Sequence, residues 1–153
     1  MPLPVFTATG GKLQMDNVPI HLKGVSWFGA EGDGCVPDGL WSRPMAEYLD
    51  FVAANGLNAV RVPVAVNHVL NNPPVRANFV TREPALKQAH CLDALDRLAV
   101  LAAERGLLIL LDLHRIESNV WPTKHGLWYD PDASGEGSSR HEQEKKVLQR
   151  GTS

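Results

Sequence analysis

Two side chains capable of acid–base chemistry, Asp112 and His114, follow a run of five apolar residues at positions 107–111. A continuous apolar run of this length after Gly106 predicts a strand over residues 107–115 that is covered on both faces. Because residues two apart on a strand share a face, Asp112 and His114 are expected on the same side of the sheet. Parallel α/β proteins place their chemistry at the carboxyl ends of such strands.

A third polar residue, Arg61, lies within residues 58–64, whose alternating valines predict another strand. Arg61 is open to two interpretations: an active-site cation, or a strand arginine paired with a carboxylate at the edge of the core. His114 is likewise either a functional group or a satisfied buried histidine. Asp112 is expected to hold Arg115 or a loop backbone rather than to act as a catalyst.

The other candidate ligands give no cofactor site. Glu31 and Asp33 stand two residues apart in a glycine-rich loop and predict either a solvated pair or a weak cation site. A metal site built from Asp112, His114 and His125 is not favoured, because ten residues separate the two histidines and this gap matches no metal-ligand spacing. The sequence therefore predicts no metal ion and no other cofactor.

Aromatic residues are the remaining group with binding potential. Trp27 ends the first predicted core strand, and Trp41, Trp121 and Trp128 lie in predicted loops that lead from strands to helices. Sugar rings present apolar C–H faces that stack on aromatic rings, so these loops could line a glycan groove. The alternative is that the rings cover the rim of the core.

Composition excludes several classes of partner. The chain has 153 residues, 44% of them hydrophobic, and a formal charge of −2, which gives no reason to expect nucleic acid or an anionic membrane as a partner. No apolar run is long enough for a membrane span. The N-terminus lacks the basic and apolar regions of a signal peptide, so the protein is expected to be intracellular or to have its signal outside this sequence. Cys35 and Cys91 are expected either as free thiols or as a disulfide.

The sequence predicts an irregular segment at residues 1–11, followed by alternating strands and helices. Asp16 and Asn17 predict the turn of a short hairpin between residues 12–15 and 18–22. Core strands are predicted at residues 22–28, 58–64 and 107–115, with helices at 42–54 and 91–105 between them.

Three residues mark the predicted element ends. Ser42 is expected to cap the first helix, with Pro44 in its first turn. Pro63 is expected to end regular strand pairing, because it lacks a backbone donor.

Loop lengths predict which side of the sheet carries the site. The loops from strand to helix, residues 29–41 and 65–88, are long, and the second is expected to be irregular. The connections from helix to strand are short. In parallel α/β folds the strand-to-helix side carries function. Residues 132–153 are polar and predict a disordered or weakly helical tail.

Six sequence pieces in chain order resemble glycoside hydrolase family 5, the cellulase family with a (β/α)8 barrel, and in particular its bacterial endo-β-1,4-glucanase branch. The pieces are NVPI at 17–20, GVSWFG at 24–29, GLWSR at 39–43, NAVRVP at 58–63, LDLHR at 111–115 and LWY at 127–129. The resemblance implies an α/β fold made of the first three βα units of a TIM barrel, residues 1–131, preceded by a small β-hairpin and followed by the tail.

The same resemblance implies roles for individual residues. Arg61 matches the family arginine that hydrogen-bonds the nucleophile, and His114 matches an active-site histidine. Trp41 matches a tryptophan that stacks on a glucose ring, and Trp27, Trp121 and Trp128 are taken as further contacts with β-glucan or a related oligosaccharide.

One departure from the family pattern limits the expected activity. The family's general acid is a glutamate in an Asn-Glu-Pro sequence and its nucleophile is a later glutamate, whereas this sequence contains no Asn-Glu pair. The expectation is therefore an N-terminal part of a retaining endoglucanase that is inactive alone. Members of the family are usually secreted, so the compartment is left open.

Two alternatives remain beside the inactive enzyme part. The first is a non-catalytic carbohydrate-binding or interaction module whose partner is a complementary barrel half or a second copy. The second is a chain that does not fold stably.

Overall fold

A computed structural model describes residues 4–118. The first three strands, Phe6–Thr9 (β1), Lys12–Met15 (β2) and Val18–Pro19 (β3), form an antiparallel sheet in the order β1-β2-β3. The predicted hairpin is confirmed, with Asp16 and Asn17 at φ values of 52° and 67° in its turn. The prediction of an irregular segment at residues 1–11 is wrong, because a second turn before Lys12 pairs Phe6 with Met15.

The second sheet is parallel and has the order β4-β5-β6. Its strands are Gly24–Ser26 (β4), Ala59–Ala65 (β5) and Leu108–Arg115 (β6). These are the three predicted core strands, although β4 is shorter than residues 22–28. Pairing was predicted to stop near Pro63, and this is wrong: β5 stays paired with β6 as far as Ala65, with a register shift after Val64.

Helices cover one face of the parallel sheet. They are Met45–Ala54 (α1), Val66–Asn71 (α2) and Cys91–Ala103 (α3). The alternating valines of β5, Val60, Val62 and Val64, are buried beneath them together with Leu49 and Leu98. The face that carries Arg61 points the other way.

Two sequence-based predictions about the helices are corrected. Ser42 does not cap α1: the capping position belongs to Pro44, and the buried carboxylate of Glu83 accepts a hydrogen bond of 2.8 Å from the backbone N–H of Met45. Residues 65–88 were expected to be irregular, but they contain α2 and two short 3-10 turns.

The third core strand is less covered than its apolar sequence predicts. Leu110 and Leu111 are 57% and 53% exposed, so the expectation that β6 is covered on both faces is wrong for residues 4–118. Cys35 and Cys91 are both buried free thiols rather than a disulfide. Within the described part of the chain, no helix has the length and apolar character needed to cross a lipid bilayer.

Candidate active site

Four polar side chains meet on the uncovered face of the parallel sheet. Arg61 donates from Nη1 to Ser26 Oγ at 2.8 Å and from Nη2 to Asp112 Oδ2. His114 Nδ1 lies 3.0 Å from Asp112 Oδ2 and 3.1 Å from Arg61 Nη2. The side chains of Arg61, Asp112 and His114 are each between about 30% and 40% exposed, so the cluster is open at the surface of the described chain.

The two contacts of His114 Nδ1 require different tautomers. When Nδ1 carries the proton it donates to the Asp112 carboxylate, and when it does not it accepts from the Arg61 guanidinium. Either tautomer therefore keeps a hydrogen bond from Nδ1 within the cluster, which suits a residue that positions its neighbours.

Strand register explains why these side chains meet. Ser26 of β4 pairs with Arg61 of β5. Asp112 of β6 pairs with Pro63, which lies two residues after Arg61 on β5 and on the same face. Because alternate residues share a face, Asp112 and His114 lie on the same side of β6, as the sequence predicts, and the strand register places Arg61 on that side as well. The expectation that Asp112 holds Arg115 or a loop backbone is wrong: Asp112 pairs with Arg61 across the strands.

The two described tryptophans differ in their surroundings. Trp27 is half-buried, its indole N–H donates to the carbonyl of Asp38 at 2.8 Å, and its ring lies 5.0 Å from that of Tyr48. Trp41 is 47% exposed and rests edge-on against Phe79. Trp41 therefore presents an accessible ring face, whereas Trp27 is held in the packing of the loop.

An apolar groove of about 420 Å³ runs beside β4, and both tryptophans line it. Ser26, the hydrogen-bond partner of Arg61, lies in its wall. Ser26 is thus the residue that the groove wall and the Arg61 cluster share, whereas Arg61 itself does not line the groove, which extends towards Tyr48 and Phe51 of α1.

The loop acids play structural parts in the described chain. Glu31 is buried and accepts a hydrogen bond of 2.7 Å from the backbone N–H of Gly29, while Asp33 forms an ion pair with Arg76. Burial, together with the charge of Glu31, raises the pKa of Asp38 above its usual range. Among residues 4–118, no cluster of three or more carboxylate, imidazole or thiol groups has a geometry that could hold a metal ion.

Several predicted residues lie outside the described part of the chain. They are Trp121, His125, Trp128 and the tail at 132–153. Sequence reasoning missed Ser26 as a partner of Arg61. The two residues are paired by the register between β4 and β5, which the sequence alone does not give.

Comparison with known proteins decides the family. The family model for Cellulase (glycosyl hydrolase family 5) matches residues 13–150, which is most of the chain. The chain belongs to glycosyl hydrolase family 5. Arg61, His114 and Trp41 therefore stand within the region that the family shares.

Two relatives of this family-5 chain are endoglucanases by name. It is 33% identical over 110 residues to an endoglucanase of Paenibacillus polymyxa and 30% identical over 108 residues to the major extracellular endoglucanase of Xanthomonas campestris. These matches cover 71% and 68% of this chain but only 26% and 22% of the relatives. The family-5 chain thus spans about a quarter of the length of the curated relatives it matches.

Solved structures agree with the described fold. The endocellulase of Pyrococcus horikoshii, in a complex with cellotetraose, superposes with a TM-score of 0.74 at 30% identity, over 88% of this chain and 36% of that one. The catalytic domain of the major endoglucanase of Xanthomonas campestris gives a TM-score of 0.64 at 28% identity, over 74% of this chain and 32% of that one. The family-5 chain therefore has the α/β fold of part of an endocellulase.

Proposed function

We propose that this chain is the N-terminal part of a retaining glycoside hydrolase that acts on β-1,4-glucan. The observation that carries the proposal is the cluster of Arg61, Asp112 and His114 on the uncovered face of the parallel sheet. The exposed Trp41, in the loop after β4, adds a ring that could contact a sugar. The endocellulase relatives, one of them crystallised with cellotetraose, support the glucan as substrate.

Arg61 is the electrostatic centre of the proposed site. Its guanidinium has five N–H donors in a fixed plane, and Ser26 and Asp112 hold that plane against the sheet. A cation fixed in this way would hydrogen-bond a catalytic carboxylate and keep it ionised, as a glycosidase nucleophile must be. His114 is a positioning residue, because it braces Asp112 and Arg61 from the neighbouring strand.

Asp112 is an anchor and not the nucleophile in this proposal. Its Oδ2 atom already accepts hydrogen bonds from Arg61 and from His114, so the guanidinium offsets its charge. Hydrolysis with retention needs two carboxyl groups about 5–5.5 Å apart, one protonated and one ionised. Glu31 and Asp33 are engaged with a backbone amide and with Arg76, respectively, and supply no such pair.

We propose further that neither catalytic glutamate belongs to this chain and that the chain alone is inactive. The absence of any Asn-Glu pair in the 153 residues supports this view. The general acid and the nucleophile would come from later strands of a complete barrel, which the chain's coverage of 36% of the Pyrococcus endocellulase leaves room for.

Trp41 would contribute binding rather than chemistry. Its ring is 47% exposed and lies nearly perpendicular to that of Phe79, and its accessible part would stack against the C–H face of a glucose unit. Trp27, which hydrogen-bonds Asp38 and packs on Tyr48, would shape the groove from beneath.

The proposed inactivity is tested by assaying the purified 153-residue chain on carboxymethyl-cellulose and on an aryl β-cellobioside. We expect no turnover above that of a preparation from cells carrying an empty vector. Turnover that follows the chain through two further purification steps would contradict the proposal.

The proposed binding is tested by calorimetric titration with cellotetraose. We expect weak binding by the natural chain and its loss in the Trp41→Ala variant, while Val100→Ala, which truncates an equally exposed apolar residue on α3, leaves binding unchanged. Equal affinities for the Trp41→Ala chain and the natural chain would remove Trp41 from the site. Strong binding without turnover would favour the non-catalytic carbohydrate-binding alternative.

A further inference from the structure

Phe79 packs against the exposed ring of Trp41. The two ring centres lie 6.2 Å apart and the ring planes meet at 79°, which is the nearly perpendicular arrangement that aromatic pairs favour. Phe79 is half-buried and ends a 3-10 turn, Ala77–Phe79, in the connection between α2 and α3. The contact therefore joins the loop after β4 to a segment that comes much later in the chain.

The backbone around Trp41 is held by the same segment. Thr81 Oγ1 donates to the carbonyl oxygen of Trp41 at 2.9 Å, and the backbone N–H of Arg82 donates to the carbonyl oxygen of Leu40 at 2.9 Å. Leu40 is fully buried, so the residue before the exposed tryptophan is fixed in the core. Residues 79–82 thus contact Trp41 through its ring and hold its main chain.

The segment that carries Phe79 is itself tied to the core. Val75 and Val80, on either side of the 3-10 turn, are both buried. Three residues after Val80, the buried carboxylate of Glu83 accepts a hydrogen bond from the first backbone N–H of α1. Phe79 therefore approaches Trp41 from a support that is fixed at both ends.

A glycine in the loop after β4 makes room for the ring of Phe79. Gly34 is buried, and a Cβ atom at this position would lie 2.6 Å from Cδ1 of Phe79, which is much closer than van der Waals contact allows. The neighbouring Asp33 forms an ion pair of 3.5 Å with Arg76. The same loop thus meets the Phe79 ring at two places, Gly34 and Trp41.

We propose that Phe79 and Thr81 are positioning residues, which fix the ring of Trp41 in the orientation that stacks on a glucose unit. The inference rests on the proposed function of Trp41 and adds the residues that order its ring. A side chain that is ordered before the ligand arrives loses less conformational entropy on binding, so a fixed ring binds a sugar more tightly than a mobile one. Phe79 and Thr81 act through Trp41 and do not touch the sugar.

Calorimetric titration with cellotetraose measures the effect on binding. We expect Phe79→Leu and Thr81→Val each to raise the Kd by about three- to tenfold, because each leaves Trp41 with more freedom to lose on binding. The matched controls are Phe6→Leu and Thr9→Val, at exposed residues of β1, and they should leave the Kd unchanged. Far-UV circular dichroism checks that every variant is folded.

A spectroscopic measurement separates the orientation of Trp41 from a general loss of stability. The near-UV circular dichroism that Trp41 contributes is the difference between the natural chain and Trp41→Ala. We expect a smaller difference between Thr81→Val and the Thr81→Val/Trp41→Ala double variant, because a ring with more freedom gives a weaker signal. Thr81→Val keeps both aromatic rings, so a difference of unchanged size would overturn the role of Thr81.

Gly34→Ala acts on Trp41 through Phe79 without replacing either ring. The added methyl group must displace the ring of Phe79, so the Kd for cellotetraose should rise as it does in Phe79→Leu. In a Phe79→Ala background the same methyl group meets no ring and should have no further effect. A Gly34→Ala effect that persists in that background would contradict the assigned path.

The control for this glycine lies in the same loop. In Gly32→Ala the new Cβ atom would lie 3.3 Å from the carbonyl oxygen of Gly29, with no aromatic ring beside it. We expect this variant to bind cellotetraose as the natural chain does. An equal rise in Kd for Gly32→Ala and Gly34→Ala would mean that any added methyl group in this loop weakens binding, which would remove Phe79 from the argument.

Failure of this inference and failure of the proposed function give different results. If the natural chain does not bind cellotetraose, the glucan role of Trp41 is overturned and its positioning residues lose their purpose. If the natural chain binds and Trp41→Ala does not, the role of Trp41 stands. Equal Kd values for the natural chain, Phe79→Leu and Thr81→Val would then overturn the positioning roles alone.

Discussion

Asp112 shows how much of the candidate site rests on one carboxylate. It pairs with Arg61 across two strands and also braces His114. A guanidinium that loses this partner keeps Ser26 and His114 as its side-chain contacts among the described residues, and neither carries a fixed negative charge. The position of the cation, and not only its charge, therefore depends on Asp112.

Asp112→Asn should destabilise the chain by about 0.5–1.5 kcal/mol, because the ion pair is partly exposed and the amide keeps one acceptor oxygen. Urea unfolding at neutral pH measures the change. The matched control is Asp50→Asn, which removes a more exposed partner of Arg105 and should cost less. A cost above about 4 kcal/mol would mean that Asp112 is buried more deeply than the described chain shows.

Asp38 gives a residue-scale prediction about pH. Burial and the charge of Glu31 raise its pKa in the folded chain, so the folded state binds this proton more tightly than the unfolded state does. The protonated carboxyl of Asp38 therefore adds to the stability of the folded chain. This contribution is fully present below the pKa that Asp38 has in the unfolded chain, and it is lost as the pH rises through the pKa of Asp38 in the folded chain. At neutral pH the ionised side chain of Asp38 therefore lowers the free energy of unfolding.

Asp38→Asn should accordingly raise the free energy of unfolding at neutral pH, and the difference from the natural chain should shrink below about pH 4. Urea unfolding at several pH values measures this. Asp96→Asn, at an exposed position on α3, serves as the control and should show a smaller change. An Asp38→Asn chain that is less stable than the natural chain at neutral pH would show that the carboxylate makes a favourable contact.

At the scale of elements, the buried carboxylate of Glu83 joins two helices. It accepts from the backbone N–H of Met45 at the start of α1 and from Arg97 of α3, whose Nε and Nη2 lie 2.9 Å and 2.6 Å from Oε1. One side chain thus caps α1 and fixes α3 beside it. The long segment between β5 and α3 is held to the core at this point.

Glu83→Gln should cost about 2–4 kcal/mol, because it leaves Arg97 without its carboxylate and weakens the cap of α1. Glu47→Gln breaks the exposed pair with Arg43 and should change stability by less than about 1 kcal/mol. Chemical denaturation of both variants gives the comparison. Equal costs at the two positions would argue that the Glu83 contact adds no more than a surface pair.

The elements show what sequence can and cannot predict here. Apolar periodicity placed α1, α3 and the three parallel strands, because burial on one face imposes a regular spacing. It did not reveal that Glu83 replaces Ser42 as the cap, since that partner lies 38 residues beyond Met45. The Arg61–Asp112 pair was not predicted for the same reason, because the two residues are far apart in sequence and meet only through the register between β5 and β6.

At the scale of the whole molecule, the described chain leaves apolar surface uncovered along its parallel sheet. Leu110 and Leu111 on β6, and Val25 and Phe28 at and just after β4, are between 40% and 61% exposed. β4 and β6 are the edge strands of the described sheet. Edge strands that carry exposed apolar side chains tend to associate with strands of another chain. We propose that a complementary barrel half covers this surface and that a second copy does so when the chain is alone.

The natural chain should therefore self-associate at micromolar concentration, and Leu111→Lys should shift it towards the monomer. Light scattering after size exclusion measures the mass. Val100→Lys, which places the same charge at an exposed valine on α3, is the control and should leave the association unchanged. A natural chain that stays monomeric at high concentration would remove self-association from the proposal.

The sequence predicted the family at this scale, and the match to the family model confirms it. Six short pieces sufficed because they follow one another along the chain in the order expected for the family. The apolar run of β6 alone predicts a strand covered on both faces, whereas three βα units of a barrel are expected to leave the third strand with an open edge and an uncovered inner face. The exposed Leu110 and Leu111 agree with the second expectation.

The small antiparallel sheet offers a practical use. Its turn at Gly10 and Gly11 projects into open space, with no other atom within 4 Å of where a side chain would start. A peptide handle or a fluorescent reporter inserted there would change no residue of the groove or of the Arg61 cluster, because none of those residues lies in this turn. The chain could then be immobilised or followed by light without blocking the surfaces whose partners are in question.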